Sequence, residues 1–406
     1  MLRFVDGFDA MDASGYLGGA SGLQLPAKYY DASVITGDQI AMVGGRFGGQ
    51  ALQQINTGFA SANYVKAFAA QTQWAVGFAF QLHSGLAGSD PLFYTLAAAN
   101  LATQVVGLAY ETATGKLLVY RNGGGTNASK GTLVKNTGVV LPNSSWTYLE
   151  IFVIVAGASS VLQVFQDDVA IADYGPTGTD GTINLGAANI DRACFRWESL
   201  GTAGYYIDDY YIADGTGALN NTRLGPCRIM SETVIGDASL SGGWVRNGGA
   251  TDTDRVNEYP PGSGHGVPDW LFSYLAGTAS CSDLFNVASP QCVGRILGVA
   301  VNATCQGFPP ASVALLCQPI GAAGSAVTLA SLSPPAGGSD WACLQGIAEQ
   351  DLATGASFWT DGDIGRAWWG AGLSSGAANM TQIYLEKLVS LRAVSFDCGV
   401  LNSYAV

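Results

Sequence analysis

Histidine is nearly missing from this chain: His83 and His265 are the only two among 406 residues. Hydrolysis through serine or cysteine needs a base beside the nucleophile, usually histidine. His83 follows a strand-like run and His265 sits in the loop PGSGHGVPD, so both read as solvated loop residues. Zinc is disfavoured as well, because no two cysteines form a CxxC pair and so few histidines remain to complete a site. Basic runs are absent too. Lysine and arginine total 18 against a net charge of −13, which leaves no cationic face for phosphates. No nucleic-acid partner is expected, nor an anionic membrane surface. Charged residues make up only 12%, yet hydrophobic residues reach 48%, a balance that excludes intrinsic disorder. No apolar run suits a leader or a membrane helix. Acidic residues interrupt MLRFVDGFDAMDASG where a signal peptide needs its apolar core. The most apolar window, Trp146–Phe165, contains Glu150 and the small-residue break Ala156–Ser160. It reads as two strands and a turn.

What is present is glycine, 55 residues of it, and strand after strand at short spacing. Trp74–Leu82 alternates, and Val105–Tyr110 and Lys116–Arg121 flank the loop Glu111–Gly115 as a hairpin. Trp146–Val155, Val161–Phe165, Val169–Ala172, Ala193–Trp197 and Tyr205–Ile212 follow. With no sustained helical period, nothing would cover a parallel sheet. The expected class is all-β, two antiparallel sandwiches of concanavalin-like or jelly-roll type in tandem. The expected units are 1–225 and a cysteine-rich 226–398, with 399–406 as a tail. Strand candidates in the second are Arg295–Ala303, Ser312–Cys317, Trp341–Ala348 and Thr381–Val389, the last also readable as a short helix. Thr360–Gly370 suggests a short helix capped by Thr360 or Asp361.

Eight cysteines occur: Cys194, Cys227, Cys281, Cys292, Cys305, Cys317, Cys343 and Cys398. The even count favours disulfides, and nearest-neighbour pairing would join 194–227, 281–292, 305–317 and 343–398. Scattered buried thiols in a reducing cell are the alternative. Disulfides without a leader would fit a protein made in the cytosol and exposed outside after lysis.

Chemistry-bearing constellations are sparse. Glycoside hydrolysis needs two carboxylates roughly 5–9 Å apart across a cleft. No E-x-D-x-E run supplies them, and Glu150 and Glu198 read as isolated carboxylates at a rim. Gly215–Gly217 lacks a P-loop lysine and reads as a turn. Asp208 and Asp209 invite a calcium site, with Asp6, Asp9 and Asp214 as further ligands. Strand alternation places the two on opposite faces, so the more economical reading is one capping backbone amides and one in solvent. On that alternation Tyr206 and Tyr210 accompany Asp208, and Tyr205 and Tyr211 accompany Asp209. These tyrosines, and Trp368–Trp369, could form a sugar platform, a subunit interface or core.

Several motifs carry a resemblance. FVDGFDAMD, GRFGGQALQ (Gly45–Gln53), WAVGFAFQL, GKLLVYRN (Gly115–Asn122) and VLQVFQDDVAIAD (Val161–Asp173) resemble strands of laminin-G/concanavalin-like sandwiches in bacteriophage structural proteins. IDDYYIADGTGALNNTRLGPCRI is similar to the closing segment of those sandwiches. Ser241–Gly262 resembles the passage into their second domain, and Ala353–Leu373 a later segment of it. The six cysteines after residue 280 depart from that pattern. The resemblance implies a non-catalytic virion component in the tail, neck or collar, or capsid exterior, without cofactor. Its expected partners are other virion proteins and copies of itself. A carbohydrate-binding adhesin for host surface glycans is the alternative.

Overall fold

The structure is a computed structural model. It describes residues 1–9, 40–55, 62–82, 90–98, 103–124, 126, 128–197, 204–240, 244–247, 256, 274–278, 281–288, 292, 294–320, 325–333, 342–355 and 358–392. His83, His265, Glu198, Cys398 and the 399–406 tail lie outside the described residues.

The chain is all-β and antiparallel. In order, the first strands are β1 Leu2–Asp6, β2 Ile40–Gly44, β3 Gln50–Ile55, β4 Ala62–Gln71, β5 Gln73–Leu82, β6 Leu92–Ala98 and β7 Thr103–Tyr110. Then come β8 Lys116–Gly123, β9 Thr132–Val140, β10 Thr147–Ile154, β11 Val161–Gln166, β12 Val169–Tyr174, β13 Ile190–Trp197 and β14 Gly204–Asp214. They make two sheets. One is ordered β12-β11-β10-β5-β14-β3-β2, with β1 also against β14; the other is β4-β13-β6-β7-β8-β9. The hairpin expected within Trp146–Phe165 is β10 and β11, joined through a 3-10 turn at Gly157–Ser159. No helix among the described residues is long and apolar enough to cross a membrane.

Period-2 alternation places one face of each sheet inward. Trp74, Phe78 and Phe80 of β5 meet Phe93 and Tyr94 of β6, Phe195 of β13, and Tyr205 and Tyr210 of β14. The rings pack edge-on or stacked, as at Phe78–Phe195 (4.9 Å between centroids) and Phe80–Phe93 (4.5 Å). The Tyr94 and Tyr210 hydroxyls satisfy each other at 3.1 Å.

The second set comprises β15 Cys227–Leu240, β16 Trp244–Asn247, β17 Tyr274–Thr278, β18 Cys281–Val287, β19 Arg295–Pro319, β20 Val327–Leu332, β21 Ala342–Ala348 and β22 Ala367–Ser390. Two long strands dominate. β19, of 25 residues, fuses the Arg295–Ala303 and Ser312–Cys317 candidates and runs against β22 along its length. Irregularities at Thr304/Cys305 and Phe308/Ser312 supply the bulges that bend such strands. β21 and β20 flank β19, while β15, β17 and β18 flank β22, so one continuous sheet folds over one core. The Thr381–Val389 segment is strand. The short helix α1, Asp361–Gly365, carries the expected Thr360 cap in a capping box with Asp363. Trp369 is fully buried against Trp359, and Trp368 is half-buried.

No disulfide joins the seven described cysteines, which corrects the expectation at 194–227, 281–292 and 305–317. For 194–227 and 305–317 the placement in the sheets explains why. Cys194 lies in β13 of the first sandwich, whereas Cys227 opens β15 and packs between the two units. Cys305 and Cys317 both belong to β19, near its middle and its end.

Candidate functional site: the seam between the two units

The outer face of the eight-stranded sheet is not bare. Leu2, Val5, Ala75, Ala79, Tyr148, Tyr211 and Ala213 pack there against Leu224, Cys227, Ile229, Leu297, Ala300 and Leu388. Small residues on β5 make room for this. A Cβ on Gly77 would lie 2.3 Å from the Tyr211 ring and 2.9 Å from the Tyr148 hydroxyl. Glycine is what lets both tyrosines cross that strand.

Threaded through the apolar contacts is a polar network. Gln345 of β21 grips Val5 of β1 twice: its Oε1 accepts from the Val5 amide at 3.1 Å, and its Nε2 donates to the Val5 carbonyl at 2.9 Å. The Leu2 amide donates to Glu349 at 2.7 Å, and the Gly7 amide to the buried Glu386 at 3.0 Å. Side chains of the second unit thus satisfy the edge of β1, as a neighbouring strand would. Glu150, expected at a rim, is fully buried here. It accepts from the Tyr211 hydroxyl (2.7 Å), the Gly225 amide (2.8 Å) and Arg223 (2.7 Å). The rim expectation fails because the second unit covers the face on which Glu150 stands.

Asp208 and Asp209 also meet at this seam. Ala79 opposes Asp208 and Gly77 opposes Tyr211, so two residues of β14 stand against Phe78 alone. This β-bulge is built on Asp209 at φ +51°, a left-handed conformation that aspartate tolerates better than most residues. The extra residue flips the alternation. Tyr205, Ile207, Tyr210 and Ile212 all enter the sandwich core, and both aspartates turn to the seam. The expected split of the pair across two faces is therefore corrected, as is the placing of Tyr210 with Asp208. Both carboxylates cap backbone amides. Asp208 accepts from Arg46 (2.8 Å) and from Asp209 (2.8 Å), and Asp209 accepts from Ile229 (2.7 Å). The Arg46 guanidinium lies 3.5 Å from Asp209 Oδ2. Asp9 joins them, accepting from the Gln50 amide at 2.6 Å.

Burial drives the protonation of this trio. It lifts Asp9 to about 6 and Asp209 to about 7, against opposing hydrogen bonds from Gln50 and Ile229 respectively. Asp208 is held well above the usual carboxylate range by burial and then by the charge of Asp209. Asp214 is engaged elsewhere, with Arg3 at 2.5 Å and Thr216, and is held low by those bonds against the effect of burial. Asp6 caps the Phe8 amide at 2.9 Å. Among the described residues, no group of three or more His, Cys, Asp or Glu is arranged to hold a metal ion.

Of the aromatic residues singled out in β14, Tyr205, Tyr210 and Tyr211 are buried. Tyr206 is half-buried and pairs with the half-buried Trp146, ring centroids 6.3 Å apart. Trp146 packs at the margin of the seam. Register places Gln53 and Gln81 on either side of Tyr206. A GxSxG spacing also occurs, Gly372-Leu373-Ser374-Ser375-Gly376. It is no nucleophile elbow, which requires a strand-to-helix turn. It runs inside β22, where Ser374 donates to the Ser312 carbonyl at 3.1 Å.

No family model matches the chain, and no curated protein matches it. Solved structures with distant likeness include a cellulose-induced protein, Cip1, at 14% identity and TM-score 0.35, covering 46% of this chain and 87% of that one. Another is the carbohydrate-binding module CBM66 from Bacillus subtilis, at 8% identity and TM-score 0.30, covering 42% and 89%. A third is a carbohydrate esterase of the Shiga toxin-encoding bacteriophage phi24B, at 16% identity and TM-score 0.31, covering 44% and 87%. Likeness at this level carries nothing about activity. The class rests on the chain's own strands: an all-β protein whose first unit is a two-sheet antiparallel sandwich.

Proposed function

We propose that this chain is a non-catalytic carbohydrate-binding module, with the Trp146–Tyr206 pair as its sugar platform. The observation that carries the reading is that half-buried pair on the outer face of the sheet, flanked in register by Gln53 and Gln81. Aromatic faces stack on the apolar side of a sugar ring, and amides bond its hydroxyls. Tyrosine and tryptophan suit this because they join a large apolar area to a polar tip. The absence of catalysis is supported by the placing of the perturbed carboxylates: Asp208 and Asp209 are buried and cap backbone amides. The expected result is binding on a glycan array by the full chain, lost in Trp146→Ala/Tyr206→Ala while the thermal transition persists. An array without hits, with and without calcium, would sink the reading.

A second reading places the module on a bacteriophage particle, beside other virion proteins and copies of itself. The ordered motifs of residues 4–262 and the firm joint between the units support it. Mass spectrometry of purified particles lacking this polypeptide would count decisively against it.

A further inference from the structure

A charge sits inside the second unit's own core. In β22 the inward positions run Ile383, Leu385, Lys387, Val389, and in β15 they run Met230, Glu232, Val234. Lys387 is fully buried and Glu232 is 2% exposed. The Lys387 Nζ lies 2.7 Å from Glu232 Oε1 and 3.0 Å from Oδ1 of Asp361, at the first position of α1. The second oxygen of Asp361 accepts from the Cys292 amide at 2.7 Å. Cross-strand neighbours of Lys387 are Met230 and Val299, so the surroundings are apolar. Buried ion pairs of this kind are often no more stabilising than hydrophobic residues of the same volume. Their presence in an otherwise regular apolar stripe calls for another reason.

We propose that Lys387 and Asp361 condense into an intramolecular amide cross-link, with Glu232 carrying the protons. Glu232 takes one proton from the Lys387 ammonium and passes it to the Asp361 carboxylate, and the freed amine lone pair attacks Cγ of the resulting acid. The Nζ–Cγ bond forms, and the Cys292 amide steadies the oxygen charge of the tetrahedral intermediate. Glu232 then carries a second nitrogen proton to the departing hydroxyl, and the C–O bond breaks to release water. Ammonium and carboxylate thus become a neutral amide plus one water, with no oxidant or co-reactant. One buried and one half-buried charge are discharged, and the start of α1 is tied to the far end of β22.

Protonation sets the order of these steps: burial would raise Asp361, but its bonds from Cys292 and Lys387 hold it low, so it starts as a carboxylate and must gain a proton before it is attacked. Burial lifts Glu232 to about 7, against the opposing pull of Lys387, so it exchanges protons near neutrality. Burial lowers the Lys387 ammonium, but its two carboxylates outweigh this and hold it charged, so attack waits on transfer to Glu232. Cys292 Sγ stands 3.6 Å from Asp361 Oδ1; its thiol, pushed up to about 11 by burial and by Asp361, stays protonated and does not compete as a nucleophile.

The test is the intact mass of the folded full-length chain, measured after denaturation and reduction. The expected mass is one water below the sequence value, with a branched peptide joining the Lys387 and Asp361 segments after proteolysis. A succinimide at Asp361–Gly362 would lose the same water, so the branched peptide decides between them. Lys387→Met and Glu232→Gln, both close in volume, should restore the full mass. Asp361→Asn should give the same branched peptide with loss of ammonia instead, a readout that no merely structural role would produce. A folded wild-type chain at full sequence mass overturns the proposal. A bond that forms undiminished in Glu232→Gln overturns the proton-carrying role.

Discussion

Glu150→Ala should lower the stability of the full chain by about 3 kcal/mol, and Glu150→Gln by clearly less. Removing one partner of a buried charged network costs ~3–5 kcal/mol, because the remaining groups stay desolvated without a counterpart. Here the alanine would strand the Tyr211 hydroxyl and the Gly225 amide, both buried. Arg223 is spared in part, because it also pairs with Asp168, which keeps the expected loss at the lower end. Glutamine retains an acceptor for Tyr211 or Gly225 and gives up only the charge. Urea titration monitored by tryptophan fluorescence measures both. Equal midpoints for wild type and Glu150→Ala would mean that the network does not hold the seam.

Stability should fall between pH 5 and pH 8, the reverse of the usual behaviour of paired carboxylates. Asp9, Asp208 and Asp209 are raised in the folded chain from an ordinary value of 3.8, so the folded state binds their protons more tightly. Their contribution is fully present below about pH 4 and is lost as pH rises through about 6 to 7. Glu232, also raised to about 7, acts in the same direction. Asp168 and Asp214 are held low and so contribute only on the acid side. Arg46 and Arg228 face the trio and limit the loss without reversing it. The effect is on the order of a few kcal/mol. Asp209→Asn should flatten the profile without abolishing it, since Asp9 and Glu232 remain. A midpoint that rises from pH 5 to pH 8 would refute the sign.

Much of the fold is legible in alternation. WAVGFAFQL reads as a strand because its inward residues are aromatic and aliphatic and its outward ones small, and β5 is that strand. Trp146–Phe165 reads as a hairpin because Ala156–Ser160 breaks two apolar runs, and the Thr360 cap reads from its own spacing. The seam is where local reading stops. Period-2 logic sends Asp208 and Asp209 apart, and one left-handed residue brings them together. Nothing local marks the bulge, although adjacent aspartates in a tyrosine-rich strand are a hint. Glu150 between Leu149 and Ile151 reads as a rim carboxylate only while the sandwich is considered alone. Pairing cysteines by proximity in sequence fails for 194–227 because the two strands belong to different sheets, and for 305–317 because both lie along one extended strand. Lys387 was open to notice, since it interrupts the Ile383, Leu385, Val389 stripe with a charge.

Whether the two units behave as one body is decided most directly by differential scanning calorimetry of the full chain. The seam's shared apolar cluster and the Gln345–Val5, Glu150–Gly225 and Asp209–Ile229 bonds predict a single transition in wild type, its calorimetric and van't Hoff enthalpies equal. Glu150→Ala should lower the midpoint of that one transition. Two independent transitions already present in wild type, each unmoved by Glu150→Ala, would contradict a seam that joins the sandwich to its partner.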